Sequence, residues 1–171
     1  YSASKAACEI LIESYRSSFL DELNIPIASA RAGNVIGGGD WSKNRLIPDA
    51  IKHWNDNNEL LIRRPQAIRP WQHVIEPLTG YLQLAQSLSD NPKLSGPFNF
   101  GPNSHDAISV EDVIKAMQTD YANGKVKLDA ASSDFHESGI LTLDISKARD
   151  LLNFEPKWNV LLAISNTAKW Y

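Results

Sequence analysis

The first five residues, Tyr1-Ser-Ala-Ser-Lys5, include two side chains that together could move a proton. In a helix, residues four apart lie on one face, so the phenol of Tyr1 and the ammonium of Lys5 would point the same way. A free tyrosine has a pKa of about 10 and is a poor base at neutral pH, but a nearby positive charge favours the phenolate and lowers that pKa. Such a pair could take a proton from a hydroxyl group while a hydride leaves the same carbon.

The same spacing occurs a second time, at Tyr121 and Lys125. There Asn123-Gly124 is a turn signal, so we interpret the second copy as a loop. The spacing alone is therefore a weak pattern, and the elements around the first copy have to decide its meaning.

Composition favours one globular domain, or most of one: the chain has 171 residues, 43% hydrophobic and 22% charged. A net charge of −3 implies no bulk attraction to nucleic acid or to a membrane surface. No apolar run approaches the ~20 residues of a membrane span. The single cysteine, Cys8, is interpreted as a small core residue and fits a reducing, cytoplasmic compartment. No His, Cys or carboxylate spacing indicates a metal site.

Helices and strands are predicted in alternation, which favours an α/β class with a largely parallel sheet. The first helix runs from Ala3 to about Leu23, with apolar and small residues at helical spacing on the face expected to contact the core. That face comprises Ala7, Ile10, Leu11, Ser14, Tyr15, Ser18 and Phe19. Further helices are predicted over residues 46–57, 76–88, 109–121, 146–152 and 160–171. Strands are predicted over residues 25–31, 59–63, 67–74, 97–100, 125–128 and 140–143.

Three consecutive glycines, Gly37 to Gly39, lie in a segment interpreted as a loop from Gly33 to Trp41. The segment lacks the G-x-G-x-x-G spacing of a dinucleotide-binding turn, and no Gly-Lys-Ser/Thr follows it as in a P-loop. A flexible loop that needs positive φ explains the glycines equally well. Trp41, and Trp71 in a later extended segment, are the two tryptophans that we expect near a site.

The order of the motifs is more specific than any one of them. After the Tyr1/Lys5 pair come Arg31-Ala-Gly-Asn34-Val-Ile-Gly37, Arg45-Leu-Ile-Pro48, Arg69-Pro-Trp-Gln-His73-Val74, Phe98-Asn99-Phe-Gly101 and Leu143-Asp144-Ile-Ser146. This succession, over nearly the whole chain, resembles the C-terminal portion of the extended short-chain dehydrogenases/reductases that act on nucleotide sugars. The resemblance implies the C-terminal part of a Rossmann-type doubly wound fold plus a small substrate-binding lobe, with NAD as cofactor. The segments from Arg31 to Trp41 and from Ile68 to Val74 are most similar to the 4,6-dehydratase branch, with CDP-glucose as the implied substrate.

The resemblance also implies a role for individual residues. Tyr1 would be the base for the sugar 4-hydroxyl, and Lys5 would bind the nicotinamide ribose and lower the pKa of the tyrosine. Gly33 would let the backbone approach the nicotinamide. The implied substrate-binding residues are Asn34 at the sugar or diphosphate, Leu46 and Ile47 beside the nucleotide, Arg69 at the diphosphate, and Arg63, Arg45 and Glu137 towards the nucleotide.

Two features depart from the family pattern. The arginine that the family often carries three residues before the acid at Glu137 is Asp134 here, so a positive partner would have to come from His136 or Arg45. The dinucleotide-binding half that precedes the tyrosine in the family is absent from this sequence, together with the acid and base of dehydration. We therefore expect residues 1–171 to be the C-terminal portion of one NAD-dependent epimerase/dehydratase domain, inactive alone and homo-oligomeric.

Three functions stay open on the sequence. The first is a nucleotide-sugar 4,6-dehydratase, the second an epimerase or reductase of the same superfamily, and the third a non-catalytic module that binds a nucleotide sugar. Other polar residues have structural interpretations: Arg31 in an ion pair, His73 half-buried and hydrogen-bonded, and Asp144 at a helix start or turn.

Overall fold

The computed structural model describes residues 2–121, 124–129 and 139–171. Its helices are α1 (Ser2–Tyr15), α2 (Leu46–Asn55), α3 (Ile75–Asp90), α4 (Val110–Asp120), α5 (Ser146–Leu152) and α6 (Val160–Trp170). Its strands are β1 (Ala28–Ala32), β2 (Asn34–Ile36), β3 (Glu59–Ile62), β4 (Ile68–Arg69), β5 (Trp71–His73), β6 (Gly96–Phe100), β7 (Ile108–Ser109) and β8 (Lys125–Leu128). The predicted α/β class is confirmed.

The described strands pair two by two, and most of the pairs are parallel, as predicted. β1 pairs with β6, β2 with β5 and β3 with β8 in parallel, whereas β4 and β7 are antiparallel. Short interruptions divide the strands: Gly33 separates β1 from β2, and Pro70, which has no N–H to donate, separates β4 from β5. The two interruptions meet, because the Asn34 N–H donates to the Pro70 carbonyl at 2.9 Å.

Two strand predictions need correction. β2 lies inside the segment that we interpreted as a loop, and its Ile36 is buried and pairs with His73. The sequence did not predict this strand because three residues beside glycines are too few to show an alternating pattern. The strand predicted over residues 140–143 is reduced to one bridge between Ile140 and Ile68. Leu143, three residues later, packs against the cluster that contains Ile145.

Two hydrophobic clusters form the interior. The larger joins α2, α4 and α6 to β3 and β5, and the smaller joins α3 and α5 to β6 around Phe98, Phe100 and Phe154. On α3, Leu84 is buried but Leu78 and Leu82 are exposed. The contact face is centred on Gly80, where an added Cβ would lie 2.3 Å from Cδ1 of Phe100.

Helix α1 contacts the rest of the described chain through a different face from the predicted one. Every residue of the predicted apolar face is exposed, including Leu11 and Phe19, and so is Cys8. The half-buried positions of α1 and the π-helical turn that follows it are Glu9, Ile12, Arg16 and Leu20. The sequence prediction fails here because β1 meets the helix with polar side chains, so Glu9 binds Ser29 and Arg31.

None of the described helices is long and apolar enough to cross a membrane.

Candidate functional site

A cavity of about 940 Å³ opens beside β2, β3, β4 and the start of α2. Its lining includes substrate-binding residues that the sequence analysis named from four separate segments. They are Asn34, Arg45, Leu46, Ile47, Arg63 and Arg69. The fold therefore brings these predicted residues to one place, although up to 35 positions separate them in the sequence.

The described part of the cavity wall carries charges of both signs, with a small excess of positive charge. Arg45, Arg63, Arg64 and Arg69 line it, together with the carboxylates of Asp40, Asp49 and Asp129. Planar guanidinium groups suit bidentate binding of phosphate oxygens, so this chemistry favours an anionic ligand.

Arg69 is the most buried of these arginines. It lies on β4 with 7% of its surface exposed, and its Nη1 donates to the carbonyl of Ile68 at 2.8 Å. Pro70 ends the strand directly after it, which fixes the direction of the backbone. Glu76, which an arginine at position 69 could have paired with, instead accepts the backbone N–H groups of Lys157 and Trp158, both at 3.0 Å.

Arg45 and the first turn of α2 form another part of the wall. Arg45 is the extended residue before the helix, with φ −117° and ψ 135°, and Leu46 and Ile47 follow in the first turn. Arg45 Nε lies 4.0 Å from Oδ2 of Asp40. Hydrogen bonds from Ser42, and then the charges of Arg45 and Lys52, hold the pKa of the Asp40 carboxyl below its ordinary value. Asp40 is therefore ionised at neutral pH and orients Arg45.

Asn34 and Gly33 lie where β1 passes into β2. Asn34 lines the cavity and pairs with Trp71, whose side chain also lines it. An added Cβ at Gly33 would lie 2.5 Å from the Pro70 carbonyl oxygen, so packing within the chain already requires a glycine there. The role of Gly33 beside a nicotinamide stays a prediction.

Several predicted residues are not part of this wall. Lys5 is exposed on α1, one turn before Glu9, and neither Lys5 nor Gly33 is among the described residues that line the cavity. Tyr1 and Glu137 lie outside the described residues, and so do Asp134 and His136. Trp41 is half exposed in the loop after β2, away from the cavity lining.

Structural interpretations of three other polar residues are confirmed. Arg31 makes a two-point ion pair with Glu9, at 2.8 and 2.7 Å. His73 is half-buried, accepts the N–H of Ile75 at Nδ1 at 3.3 Å and packs against Trp158 with the two rings tilted, and burial lowers its pKa. Asp144 accepts the N–H of Ser146 at 2.9 Å at the start of α5.

Sequence reasoning missed part of the wall. Asp40 and Asn44 lie between β2 and α2, close in sequence to the predicted residue Arg45, and that proximity could have marked them. Asp129 gave no such signal. It reaches the cavity because β8 pairs with β3, so the Asp129 N–H donates to the Ile62 carbonyl at 2.8 Å. Within the described ranges, no three His, Cys, Asp or Glu residues converge as metal ligands.

Comparison with known proteins identifies relatives of the chain. Residues 1–101 match the NAD dependent epimerase/dehydratase family. The whole chain is 41% identical, over 177 aligned residues, to 49% of the CDP-glucose 4,6-dehydratase of Salmonella typhimurium.

Solved structures show the same fold at lower identity. A dTDP-glucose 4,6-dehydratase from Bacillus anthracis in complex with NAD is 18% identical, with a TM-score of 0.77 over all of this chain and 51% of that one. A UDP-glucuronic acid 4-epimerase from Bacillus cereus, in complex with UDP-glucuronic acid and NAD, is 19% identical, with a TM-score of 0.81 over 98% of this chain and 51% of that one. The fold is of the Rossmann type. The chain spans about half the length of these relatives.

The family match covers more than half of the chain and agrees with the order of motifs and the fold. NAD is the cofactor of this family. The chain belongs to the NAD dependent epimerase/dehydratase family.

Proposed function

We propose that the protein is an NAD-dependent nucleotide-sugar 4,6-dehydratase, a lyase that converts CDP-glucose to CDP-4-keto-6-deoxyglucose. The observation that carries the proposal is the cavity, because it gathers Asn34, Arg69 and four more of the predicted substrate-binding residues around one volume rich in arginine. The identity of 41% to a CDP-glucose 4,6-dehydratase supports the choice of reaction and nucleotide.

The cavity wall has chemistry that suits each part of such a substrate. Arg69 would pair with the diphosphate, which carries negative charge that must be matched when it is partly buried. Arg63 would add positive charge at the nucleotide end, and Leu46 and Ile47 would contact the nucleotide with apolar surface. Asn34, which has both an amide donor and a carbonyl acceptor, would bind the sugar or diphosphate.

Lys5 fits the cofactor by its chemistry. Lys5 is an exposed residue, and the N–H donors of an ammonium group suit the hydroxyl oxygens of a nicotinamide ribose. NAD, when bound, supplies the hydride acceptor for C4 of the sugar. Lys5 would also favour the phenolate of Tyr1, which would take the proton of the 4-hydroxyl. The proposed reaction would then eliminate water across C5 and C6 and place the hydride at C6. We assign the acid and base of that elimination to none of the described residues.

Analysis of the reaction product tests this function in the full-length protein. Incubation with CDP-glucose and NAD should give a 4-keto sugar with a methyl group at C6, detected by proton NMR. An inverted C4 with an intact C6 hydroxymethyl group would instead identify an epimerase, the activity named for the Bacillus cereus relative. Binding without any product, by protein that is loaded with NAD, would identify a non-catalytic module.

A matched variant separates binding from chemistry. Tyr1→Phe should bind CDP-glucose normally but lose turnover by roughly 10²–10⁴-fold, the range for a lost general base. A near-normal rate would remove Tyr1 from the mechanism.

Two wider expectations also belong to the proposal. We propose a cytoplasmic, homo-oligomeric enzyme that binds neither nucleic acid nor membrane, and the net charge of −3 supports the absence of bulk attraction to either. The exposed apolar side chains of α1 are available for contact with another protein surface.

A further inference from the structure

The three consecutive glycines lie in a loop that borders the cavity and is covered by the end of α6. We use the name glycine loop for residues 37–45, between β2 and α2. Gly37, Asp40, Asn44 and Arg45 of this loop line the cavity. The cavity wall therefore depends on the conformation of a segment in which glycines leave the backbone unusually free.

Trp170, the last residue of α6, lies directly on the backbone of the glycine loop. A Cβ added at Gly38 would lie 2.0 Å from Cγ of Trp170, so only glycine leaves room for the indole ring. Gly39 has φ +79°, a backbone conformation that favours glycine, and an added Cβ there would lie 3.4 Å from the same ring. These glycines are explained by contact with Trp170 and by backbone geometry, not by contact with a phosphate group.

Tyr171 holds the next part of the loop. Its hydroxyl donates to the carbonyl of Asp40 at 2.7 Å, and its ring meets Trp41 edge-on, with ring centroids 5.2 Å apart. Burial is the main cause of a raised pKa for Tyr171, so its hydroxyl keeps its proton and remains a donor at neutral pH.

The opposite side of the loop is also fixed. Lys52 of α2 donates from Nζ to the carbonyl of Trp41 at 2.6 Å. A Cβ added at Gly37 would lie 2.9 Å from Cγ1 of Val74. The loop therefore lies between α6, α2 and the start of α3, and Trp170 and Tyr171 cover the side where its glycines cluster.

We propose that Trp170 and Tyr171 are positioning residues for the nucleotide-sugar cavity, a proposal that rests on the function proposed above. They hold the glycine loop in one conformation, so Asn44 and Arg45 already face the cavity before the ligand arrives. A loop that is ordered in advance loses less conformational entropy on binding, so the expected benefit is in affinity. Neither residue is among those that line the cavity, so each acts through the loop.

Binding measurements on the full-length protein test the proposal. Titration with CDP-glucose should give a Kd about 2- to 10-fold weaker in Tyr171→Phe, the scale of one lost neutral hydrogen bond. Trp170→Ala should weaken binding by at least as much. Gly38→Ala should do the same while keeping both aromatic residues, because its methyl group would displace the indole. Trp170→Phe should restore part of the affinity.

The matched control is Leu161→Ala, an exposed apolar residue on the same helix. It should leave Kd unchanged. Titration with NAD should give the same affinity in all variants, and kcat at saturating substrate should stay near that of the unmutated protein. An unchanged Kd for CDP-glucose in both Trp170→Ala and Gly38→Ala would overturn the proposal. So would a parallel loss of affinity for NAD and for CDP-glucose.

A measurement without ligand distinguishes this proposal from the proposed function. Amide hydrogen exchange over residues 37–45 should be faster in Trp170→Ala and Gly38→Ala than in the unmutated protein and in Leu161→Ala. Unchanged exchange would overturn the positioning role whatever the protein binds. If exchange is faster in these variants but the unmutated protein does not bind CDP-glucose, the proposed substrate is wrong. The conclusion that Trp170 and Tyr171 order the glycine loop would still hold.

Discussion

The cavity wall combines four arginines with three carboxylates among the described residues, and the burial of the arginines is unequal. Arg45 has 61% of its side chain exposed and faces Asp40, whereas Arg69 is 7% exposed on a strand that Pro70 interrupts. A buried cation interacts more strongly with an anionic ligand than an exposed cation does, because water screens it less. Arg69 is therefore the residue whose loss should affect anion binding most.

Replacing Arg69 by alanine should weaken nucleotide-sugar binding in the full-length protein. We expect a loss of about 1.5–3 kcal/mol, the scale of a hydrogen bond to a charged group, or roughly a 10- to 150-fold higher Kd. Calorimetric titration with CDP-glucose and UDP-glucose measures it.

The control for Arg69→Ala is Arg31→Ala, because Arg31 pairs with Glu9 on α1 and is not among the described residues that line the cavity. It should leave Kd unchanged. Unchanged affinity of Arg69→Ala for both nucleotide sugars, with a lower melting temperature, would show a purely structural arginine at position 69.

At this scale the sequence named several residues of the cavity wall but not the local packing around them. Arg69, Arg63 and Asn34 could be named because their types and order resemble a family with an anionic substrate. The reason for Gly38 could not be found from the sequence, because the indole of Trp170 that covers it is more than 130 positions away. The position of Asp129 in the cavity wall could not be found from the sequence either, because the pairing of β8 with β3 brings it there.

Among the elements, α1 is attached in the least expected way. Its contact with β1 is an ion pair and a hydrogen bond: Glu9 accepts from Arg31 at 2.8 and 2.7 Å and from the hydroxyl of Ser29 at 2.9 Å. The hydrogen bond from Arg31, opposed in part by burial and supported by Ser29, lowers the pKa of Glu9 from 4.5 to about 2. The attachment of α1 should therefore depend on pH.

The sign follows from the direction of that pKa shift. The carboxyl of Glu9 has a lower pKa in the folded state than in the unfolded state. The ion pair therefore stabilises the fold above a pH of about 4.5, and this contribution is lost as the pH falls towards 2. The pair is partly exposed, so we expect about 0.2–1 kcal/mol, the range measured for exposed ion pairs.

Urea denaturation of the full-length protein and of Glu9→Gln, repeated over a series of pH values, tests this. The difference between the two should be present at neutral pH and disappear on acidification, while the exposed Glu22→Gln should follow the unmutated protein throughout. A difference that stays constant down to the acid limit would contradict an ionic contribution from Glu9.

The elements themselves were largely predictable. β8 and α5 have the predicted bounds, and the hydroxyl of Ser109 accepts the Asp112 N–H at 3.1 Å, as a capping residue should. The exposed face of α1 was mispredicted because helical periodicity identifies an apolar face but not what covers it. β2 was missed because it forms only by pairing with β5, and a sequence of three residues does not predict such a tertiary contact.

For the whole molecule, two separate hydrophobic clusters stabilise the fold. In the smaller one, Phe100 is fully buried, and its ring meets Tyr81 and Phe154 edge-on, at 5.4 and 5.1 Å between centroids. It also occupies the space that Gly80 leaves open on α3. Phe100 thus joins β6, α3 and the segment after α5.

Replacing Phe100 by alanine should lower the free energy of unfolding by about 3–5 kcal/mol, because transfer and cavity costs add at a well-packed site. Chemical denaturation of the full-length protein measures the loss. Leu82→Ala, on the exposed side of α3, is the control and should change stability by less than about 0.5 kcal/mol. Equal losses of unfolding free energy in the two variants would mean that Phe100 does not lie in a well-packed interior cluster.

The strand pairs described above also constrain how quickly the chain can fold. None of the described strands pairs with its neighbour in sequence, and the link between Ile27 and Ser95, next to the β1–β6 pair, joins positions 68 residues apart. Each such contact needs a long loop to close before it contributes any stability, so contact order is high and folding should be slow compared with a helical bundle. The helices can form early, but β1, β2 and β3 have to wait for partners made much later in synthesis. During that interval their edges are open to pairing with other chains, a hazard that a fold of local hairpins would largely avoid.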